Sequence, residues 1–186
     1  MEAGAAALTL HPRSAKQMYT GTADHKLTAE LVERVDVPVI ASGDVTSREC
    51  AQELLDSTGC AAVMVGRAAQ GNPWAVGEIA GRSRGEPSRE EVVAELVLFI
   101  RATVQELGEQ RATGFLKKFY GWYLGGGRFP KPFKQELVQL ATTAEVEKRL
   151  FAAAPRAAEE LARLEGELPA EDDVLLDLPI SIYGGG

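Results

Sequence analysis

Two short apolar runs, each followed directly by a glycine, place the strongest constraint on the fold of this chain. Residues 37–42 end at Gly43, and residues 60–65 end at Gly66. Both runs carry β-branched residues, which is typical of parallel strands that are buried on both faces. Between them, Ser47 precedes a segment whose apolar residues recur at helical spacing, so a crossover helix is predicted there. The two runs therefore predict a parallel βαβ unit.

A charged residue follows each of these glycines, Asp44 after the first strand and Arg67 after the second. The loops that follow parallel strands meet at one edge of the sheet, so these residues are expected to lie side by side. Glycine lets an anion approach the backbone, and arginine binds an anion through a forked set of donors, which predicts a phosphate-binding site. Two alternatives remain open. Gly43 and Asp44 also fit a tight turn in which Asp44 holds the loop, and the guanidinium of Arg67 either binds an anion or is exposed.

The first 82 residues contain a further strand and two further helices. Residues 5–11 form a strand candidate that ends at His11, and helices are predicted for residues 26–35 and 72–81. His11 lies at the same edge as the glycines, where it either faces the site or is a hydrogen-bonded structural histidine. Three βα units are thus predicted. Three parallel strands are too few to close a barrel and leave two open edges, so we expect the chain to begin inside a larger fold.

The composition changes after residue 82, where a helical region is predicted. Residues 83–87 form a linker that contains glycine and proline, and residues 88–165 show helical periodicity with no strand signal. Capping boxes begin two of its helices, at Ser88 and at Thr142. Residues 166–186 are acidic, contain proline and end in glycines, which predicts a flexible tail. The second module is therefore predicted to be an all-α bundle.

A basic and aromatic stretch stands out in this helical region. The net charge of −7 argues against nucleic-acid binding over the whole surface, yet residues 111–134 contain no acidic residue. The basic residues of the stretch are Arg111, Lys117, Lys118, Arg128, Lys131 and Lys134. Aromatic residues such as Tyr120 lie between them, so the stretch combines phosphate-neutralising charges with stacking faces and is a candidate RNA-contacting surface. The same pattern also fits aromatic residues in a helix core and lysines on a solvated face.

The cysteines, the histidines and the apolar runs limit which kind of functional site and which cellular compartment are expected. Cys50 and Cys60 show no metal-binding or redox spacing, so structural thiols are predicted. The two histidines are too few for a histidine-rich metal centre. No apolar run approaches the roughly 18 residues of a membrane span, and no signal sequence opens the chain. A cytoplasmic protein with no membrane contact is therefore expected.

Five sequence blocks together resemble the tRNA-dihydrouridine synthase family, which they match in order and in spacing. The blocks are LTLHPRS at 8–14, YTGTAD at 19–24, VPVIASGDV at 37–45, VMVGRAAQGNPW at 63–74 and KKFYGWY at 117–123. The run from residue 66 to 74 is the most characteristic of them. The last block is similar to a basic and aromatic helix of the family's C-terminal bundle.

The resemblance implies both a fold and an activity. The implied fold is α/β: the C-terminal part of a TIM (β/α)8 barrel, with three βα units in residues 1–82, followed by an all-α helical bundle that binds tRNA. The implied activity is FMN-dependent reduction of the C5–C6 double bond of a tRNA uridine to 5,6-dihydrouridine, with NADPH recharging the flavin. The residues implied to bind FMN are His11, Ser42, Gly43, Asp44, Gly66 and Arg67. The six basic residues named above and Tyr120 are the candidate tRNA contacts.

Several departures from the family pattern bear on these expectations. Ser42 stands where the family usually has asparagine, and Pro12 where it usually has glycine. The family's general acid is a cysteine in the first half of the barrel, and neither Cys50 nor Cys60 matches that motif. A general acid must reach the carbon that receives the proton, so no catalytic residue is assigned in this chain. We therefore expect the first five βα units of the barrel to be missing.

Two classes of function follow from this pattern. In the first, the chain belongs to a tRNA-dihydrouridine synthase, and activity requires the missing barrel half in trans. In the second, it is a non-catalytic RNA-binding module or remnant, whose half-barrel either associates with itself through exposed strand edges or misfolds. A different FMN-binding or sugar-phosphate barrel enzyme would share the predicted phosphate site, but it would not explain the basic and aromatic helices.

Overall fold

A computed structural model describes residues 4–82 and 85–167 of the chain. These residues form eight α-helices and one three-stranded parallel sheet, so the fold is mixed α/β. They divide into two compact units with a boundary between Glu86 and Pro87, and the segment Gly121–Gly125 groups with the first unit. Among the described helices, none combines the length and the apolar character that crossing a membrane requires.

The first unit alternates strands and helices along the chain. Its elements are β1 (Leu8–Leu10), α1 (Lys26–Arg34), β2 (Val39–Ser42), α2 (Arg48–Thr58), β3 (Ala62–Met64), a 3-10 turn (Arg67–Ala69) and α3 (Ala75–Ile79). The strands lie in the order β1-β2-β3, and both neighbouring pairs are parallel. This arrangement confirms the three predicted βα units, although each strand is shorter than the apolar run that predicted it.

The central strand β2 carries the core of the first unit. Ala41 is fully buried and packs in one apolar cluster with Val45, Ala51 and Leu54, so the loop after β2 and one face of α2 cover the sheet. Ser47 accepts a hydrogen bond from the backbone N–H of Cys50 and caps α2, as the sequence predicted. The residues of β1 and β3 are partly or fully exposed, because each of these strands pairs within the described residues with β2 only.

Gly71 lies where two backbone segments of the first unit pack closely together. Its φ of +69° is in the left-handed region, and a Cβ there would meet the carbonyl carbon of Trp122 at 2.5 Å and the backbone nitrogen of Tyr123 at 2.6 Å. Both partners belong to the segment that groups with the first unit. Glycine is therefore required at this position both by its dihedral angle and by the space available.

The second unit is built from helices. They are α4 (Arg89–Leu107), α5 (Glu109–Tyr123, whose last residues group with the first unit), α6 (Lys131–Gln139), α7 (Thr143–Ala153) and α8 (Ala157–Glu167). The predicted capping boxes are confirmed at Ser88 with Glu91 and at Thr142 with Glu145. Glu109 adds a second cap to α7, since its carboxylate accepts hydrogen bonds from the backbone N–H and the hydroxyl of Thr143, each at 2.7 Å.

The C-terminal boundary differs from the prediction. The bundle was predicted to end at residue 165, but α8 continues through Gly166 to Glu167. An i,i+4 ion pair of 2.6 Å between Arg163 and Glu167 supports this last turn. Residues 168–186 of the predicted tail and residues 83–84 of the predicted linker lie outside the described residues.

Replacing Gly71 with alanine tests the close packing of the first unit. We expect Gly71→Ala to lower the free energy of unfolding by about 1–3 kcal/mol, because the added Cβ meets backbone atoms that have no free end to move. Gly114→Ala is the matched control, because Gly114 lies inside α5 and its added Cβ would have no atom of residues 4–82 or 85–167 within 4 Å; it is expected to stabilise by up to about 1 kcal/mol. Equal free energies for both variants, measured by denaturant unfolding, would contradict this account.

Candidate functional site

Three loops of the first unit surround one cavity at the carboxyl edge of the sheet. The cavity has a volume of about 620 Å³, and its lining includes all six residues that the family resemblance implies for FMN binding: His11, Ser42, Gly43, Asp44, Gly66 and Arg67. These residues follow β1, β2 and β3, so the parallel order of the strands places their loops together. The expectation that the two glycine-containing loops lie side by side is confirmed.

The carboxylate of Asp44 connects the three loops. Its two oxygens accept hydrogen bonds from Nη2 of Arg13 at 2.8 and 2.7 Å, and one of them accepts from Nη2 of Arg67 at 3.1 Å. The backbone N–H of Ala23 donates to the other oxygen at 2.8 Å. The loop after β2 is therefore tied to the loops after β1 and after β3 through one side chain.

These donors also determine the ionisation of Asp44. The backbone hydrogen bond from Ala23 and the hydrogen bond from Arg13 lower the pKa of this carboxyl below its ordinary value of 3.8, and the positive charge of Arg67 acts in the same direction. Asp44 itself has a φ of +57°, a conformation that aspartate tolerates better than most residues. The carboxylate is thus held ionised in a specific loop conformation at neutral pH.

The two arginines that contact Asp44 have different surroundings. Only 2% of the Arg13 side chain is exposed, and its Nη2 also donates to the carbonyl of Gly21 at 2.8 Å. Its Nε and Nη1 are buried, with no hydrogen-bond partner among the described residues. Arg67 is 49% exposed, lines the cavity, and lies 4.9 Å from the ring centroid of Tyr19 in a cation–π contact. Arg13 is therefore a buried anchor, whereas Arg67 is accessible to a ligand.

The two predicted glycines meet different constraints. A Cβ on Gly43 would lie 3.0 Å from the Cβ of Ala23 and 3.2 Å from the ring of His11, and its φ is +119°. A Cβ on Gly66 would meet no atom of the described residues within 4 Å. Gly43 is thus required by its own neighbours, and Gly66 leaves an open approach to the backbone from the cavity.

Two histidines support the loop around Gly43. Nδ1 of His11 lies 3.2 Å from the hydroxyl of Ser42, so these two side chains are within hydrogen-bonding distance. Nε2 of His25 lies 3.1 Å from the carbonyl oxygen of Gly43 and must donate to it, because a carbonyl only accepts. Nδ1 of a neutral His25 then accepts from the buried hydroxyl of Thr28 at 3.2 Å. His11 both lines the cavity and makes a structural hydrogen bond, so the two readings of this residue are compatible.

The described residues contain no cluster of metal-ligating side chains. Cys60 is buried in the core of the first unit, and Cys50 is exposed at the start of α2; both are free thiols. Neither cysteine lines the cavity.

The basic and aromatic stretch contributes several exposed side chains to α5. Lys117 and Lys118 are exposed, and Nζ of Lys118 lies 4.5 Å from the ring centroid of Phe115 and 5.0 Å from that of Phe119. Among the other basic candidates, Arg111 and Lys131 are exposed, and Arg128 and Lys134 are partly buried. The exposed side of α5 therefore combines positive charge with aromatic surface, at Phe115 in particular, which is 40% exposed.

Tyr120 does not belong to this surface, and its assignment as an RNA contact is wrong. Its ring is 1% exposed, and burial raises the pKa of its hydroxyl to about 12. Ala112, Leu116 and Tyr120 recur at intervals of four residues, which places them on one helical face, and that face is in the core. This spacing was visible in the sequence. Phe129 and Phe133 are also buried, stacked at 5.2 Å between ring centroids.

Two residues of the site are missing from the set that the family resemblance implies: Arg13, which contacts Asp44, and Tyr19, which lines the cavity. Arg13 was not assigned a role, because its burial depends on how the loop between β1 and α1 folds over it. Tyr19 lines the cavity and faces Arg67, although exposed aromatic residues in loops carry no distinctive sequence signal. The short spacing of Arg13 from the end of β1 was the only available indication of its position.

A parallel sheet whose glycine- and arginine-containing loops surround a cavity at its carboxyl edge is typical of phosphate-binding α/β proteins. Comparison with known protein families identifies one family within this class. The family model described as dihydrouridine synthase (Dus) matches residues 1–159, so the chain belongs to the dihydrouridine synthase family.

Individual relatives are similar over the same region. The chain is 39% identical over 127 residues to tRNA-dihydrouridine synthase B of Xanthomonas campestris pv. campestris, covering 66% of this chain and 38% of that protein. It is 40% identical over 117 residues to a probable tRNA-dihydrouridine synthase of Rhizobium leguminosarum bv. phaseoli, covering 63% and 36% respectively. It is 33% identical over 147 residues to tRNA-dihydrouridine synthase B of Pseudomonas putida, covering 76% and 44%. The chain thus spans less than half the length of these relatives.

The ionisation of Asp44 can be measured directly by following its carboxyl carbon by NMR as the pH is lowered. We expect a midpoint below 3.8, because three donors stabilise the charged form. Since the folded-state pKa is the lower one, the stabilisation is complete above pH 3.8 and is lost as the pH falls through the folded-state value. Arg13 is the charged donor that lowers this pKa most, so replacing it in Arg13→Met is expected to raise the midpoint of the Asp44 titration. A midpoint at or above 3.8 in the unmodified protein would refute the network.

Proposed function

We propose that this chain carries the FMN phosphate-binding edge and the tRNA-contacting helices of an FMN-dependent tRNA-dihydrouridine synthase. The observation that carries the proposal is the single cavity formed by the loops after all three strands, with Arg67 half exposed and Gly66 open toward it. In this proposal residues 1–82 are part of a TIM barrel and residues 88–165 are the tRNA-binding region.

The chemistry of the cavity fits a flavin nucleotide. Its volume of about 620 Å³ lies in the range of small-molecule and cofactor sites. Arg67 supplies a forked cation for the phosphate, and the open side of Gly66 allows the phosphate to approach the backbone. His11 and Ser42 would contact the remainder of the nucleotide. Bound FMN, reduced by NADPH, would supply the hydride that converts a tRNA uridine to 5,6-dihydrouridine.

The exposed face of α5 supports the proposed tRNA contact. Arg111, Lys117 and Lys118 would neutralise phosphates, and the exposed ring of Phe115 offers a stacking surface beside Lys118. With Tyr120 removed, the proposed set consists of the six basic residues of the stretch.

The full reaction also needs a general acid, and neither cysteine lines the cavity. We propose that this acid comes from the barrel half that precedes β1 in the family, and that β1 and β3 pair with further strands of that half or with those of a second copy. The chain alone would then bind ligands without completing the reaction. We expect the protein to act in the cytoplasm, where tRNA is available.

A flavin titration of the purified chain tests the proposal. We expect FMN to bind and to raise the melting temperature, because a ligand that binds only the folded state stabilises it. Binding of tRNA without any binding of FMN would instead favour the non-catalytic RNA-binding alternative.

Arg67 is expected to account for the preference of the site for a phosphorylated flavin. Arg67→Ala should weaken FMN binding by about tenfold or more, the usual effect of losing a charge-assisted hydrogen bond. Arg34→Ala, which removes an exposed arginine from α1, is the control and should leave the affinity unchanged. An unchanged FMN affinity in Arg67→Ala, measured by fluorescence quenching, would remove the residue from the site.

The lysines of α5 are expected to contribute to tRNA affinity through phosphate neutralisation. The double variant Lys117→Ala/Lys118→Ala should bind tRNA more weakly, and the slope of log affinity against log salt should fall by about two, one for each lost contact. Lys148→Ala/Arg156→Ala removes the same charge from exposed positions elsewhere in the second unit and serves as the control. Equal slopes in both double variants, measured by filter binding at several salt concentrations, would contradict the assignment.

A further inference from the structure

We propose that Asp44 does not bind the cofactor but is a positioning residue, which holds Arg67 at the cavity for a phosphoryl group and is itself held in place by the buried Arg13. The inference deepens the proposed function and rests on it, since the phosphoryl group is that of a flavin nucleotide. It replaces the assignment of Asp44 as an FMN contact and gives Arg13 a role.

The hydrogen bonds of Asp44 leave it poorly suited to be a ligand. Both carboxylate oxygens already accept from the protein: Nη2 of Arg13 reaches both, Arg67 shares one of them, and the backbone N–H of Ala23 donates to the other. A carboxylate that stays ionised accepts hydrogen bonds only, so it offers a phosphate no donor and repels its charge. The contribution of Asp44 to anion binding must therefore be indirect.

Arg13 and Arg67 divide two tasks between them. Arg13 is 2% exposed and does not line the cavity, whereas Arg67 is 49% exposed and does. Two guanidinium groups and one carboxylate leave a net charge of +1, and the accessible part of that charge is on Arg67. The carboxylate limits the positions that the long Arg67 side chain adopts, so less conformational entropy is lost when an anion binds.

The burial of Arg13 explains why Asp44 stays in place. Nε and Nη1 of Arg13 are buried without a partner in the part of the chain that the structure describes, so the charge of this side chain is compensated there mainly through Nη2. A buried guanidinium needs a paired anion, and Asp44 is the carboxylate that contacts it. The bond from Ala23 fixes the same carboxylate from the backbone. Asp44 is thus restrained from two sides before it contacts Arg67.

A positioning role for Asp44 predicts the opposite effect of Asp44→Asn on anion affinity from that expected of a nearby negative charge. If Asp44 acted only as a nearby negative charge, Asp44→Asn would strengthen the binding of an anion. If Asp44 positions Arg67, the same change weakens binding although it removes a negative charge. Comparing the affinities for FMN and riboflavin isolates the contribution of the phosphate, because riboflavin carries the same ring system as FMN and lacks the phosphate.

The first measurement needs no cofactor. The Arg67 side chain is followed by ¹⁵N relaxation of its Nε–H group in the unmodified protein and in Asp44→Asn. We expect an ordered Nε–H that becomes mobile in the variant. An Arg67 side chain that is equally mobile in both proteins would overturn the proposal.

The second measurement compares the affinities for FMN and riboflavin by fluorescence quenching. Asp44→Asn and Arg13→Lys should each lose about tenfold in FMN affinity and keep their riboflavin affinity, as expected for a lost charge-assisted contact to phosphate. Arg13→Lys keeps the buried positive charge. If Asp44→Asn does not fold, this variant is used in both measurements to test whether Asp44 positions Arg67. Glu30→Gln, at an exposed position of α1, is the control for the loss of one negative charge. FMN affinity that is unchanged or higher in these two variants would overturn the proposal.

The proposed function and this inference fail in different ways. If the unmodified protein bound neither flavin, the proposed function would fail, and the relaxation measurement alone would decide whether Asp44 positions Arg67. If FMN bound well and Asp44→Asn bound it more tightly, the proposed function would stand and the positioning role would be overturned.

Discussion

The ion pairs of the Asp44 carboxylate are the interactions on which the candidate site depends. They join segments that are far apart in sequence, since Arg13 precedes Asp44 by 31 residues and Arg67 follows it by 23. Hydrogen bonds of the sheet bring the ends of the strands together, but they do not determine the course of the loops beyond them. A partly buried carboxylate with two charged donors does determine it, because each unpaired charge would be costly in this environment.

The apolar core of the first unit has a supporting role in this arrangement. Only the central strand β2 is well buried, and the cluster around Ala41 and Leu54 joins it to α2. The edge strands are short and partly exposed, so much of the specificity of this region comes from polar contacts and from close backbone packing at Gly43 and Gly71. Both oxygens of the carboxylate at the centre of this network accept hydrogen bonds, whereas Nε and Nη1 of the buried Arg13 have no partner among the described residues.

The second unit shows the opposite balance. Apolar burial dominates it: α4 places Val93, Leu96 and Ile100 entirely in the interior, and side-chain caps begin α4 and α7. Helix α5 is amphipathic, and its two faces have different roles. The face that carries Tyr120 stabilises the unit, whereas Lys118 and Phe115 are exposed and available to a partner. A basic and aromatic sequence pattern therefore contains both core and surface residues, which only their helical phase distinguishes.

The sequence by itself determined the local structure and the edge at which the site lies. Caps such as Ser47 and Ser88, and strands followed by Gly43 and Gly66, were predictable because they depend on neighbouring residues and on the regular geometry of parallel βα units. Tertiary structure alone decided that Arg13 is buried while Arg67 is accessible, and that Asp44 contacts both. These outcomes depend on how irregular loops pack against each other, and charged residues of the same type have no local pattern that distinguishes a buried anchor from an exposed donor.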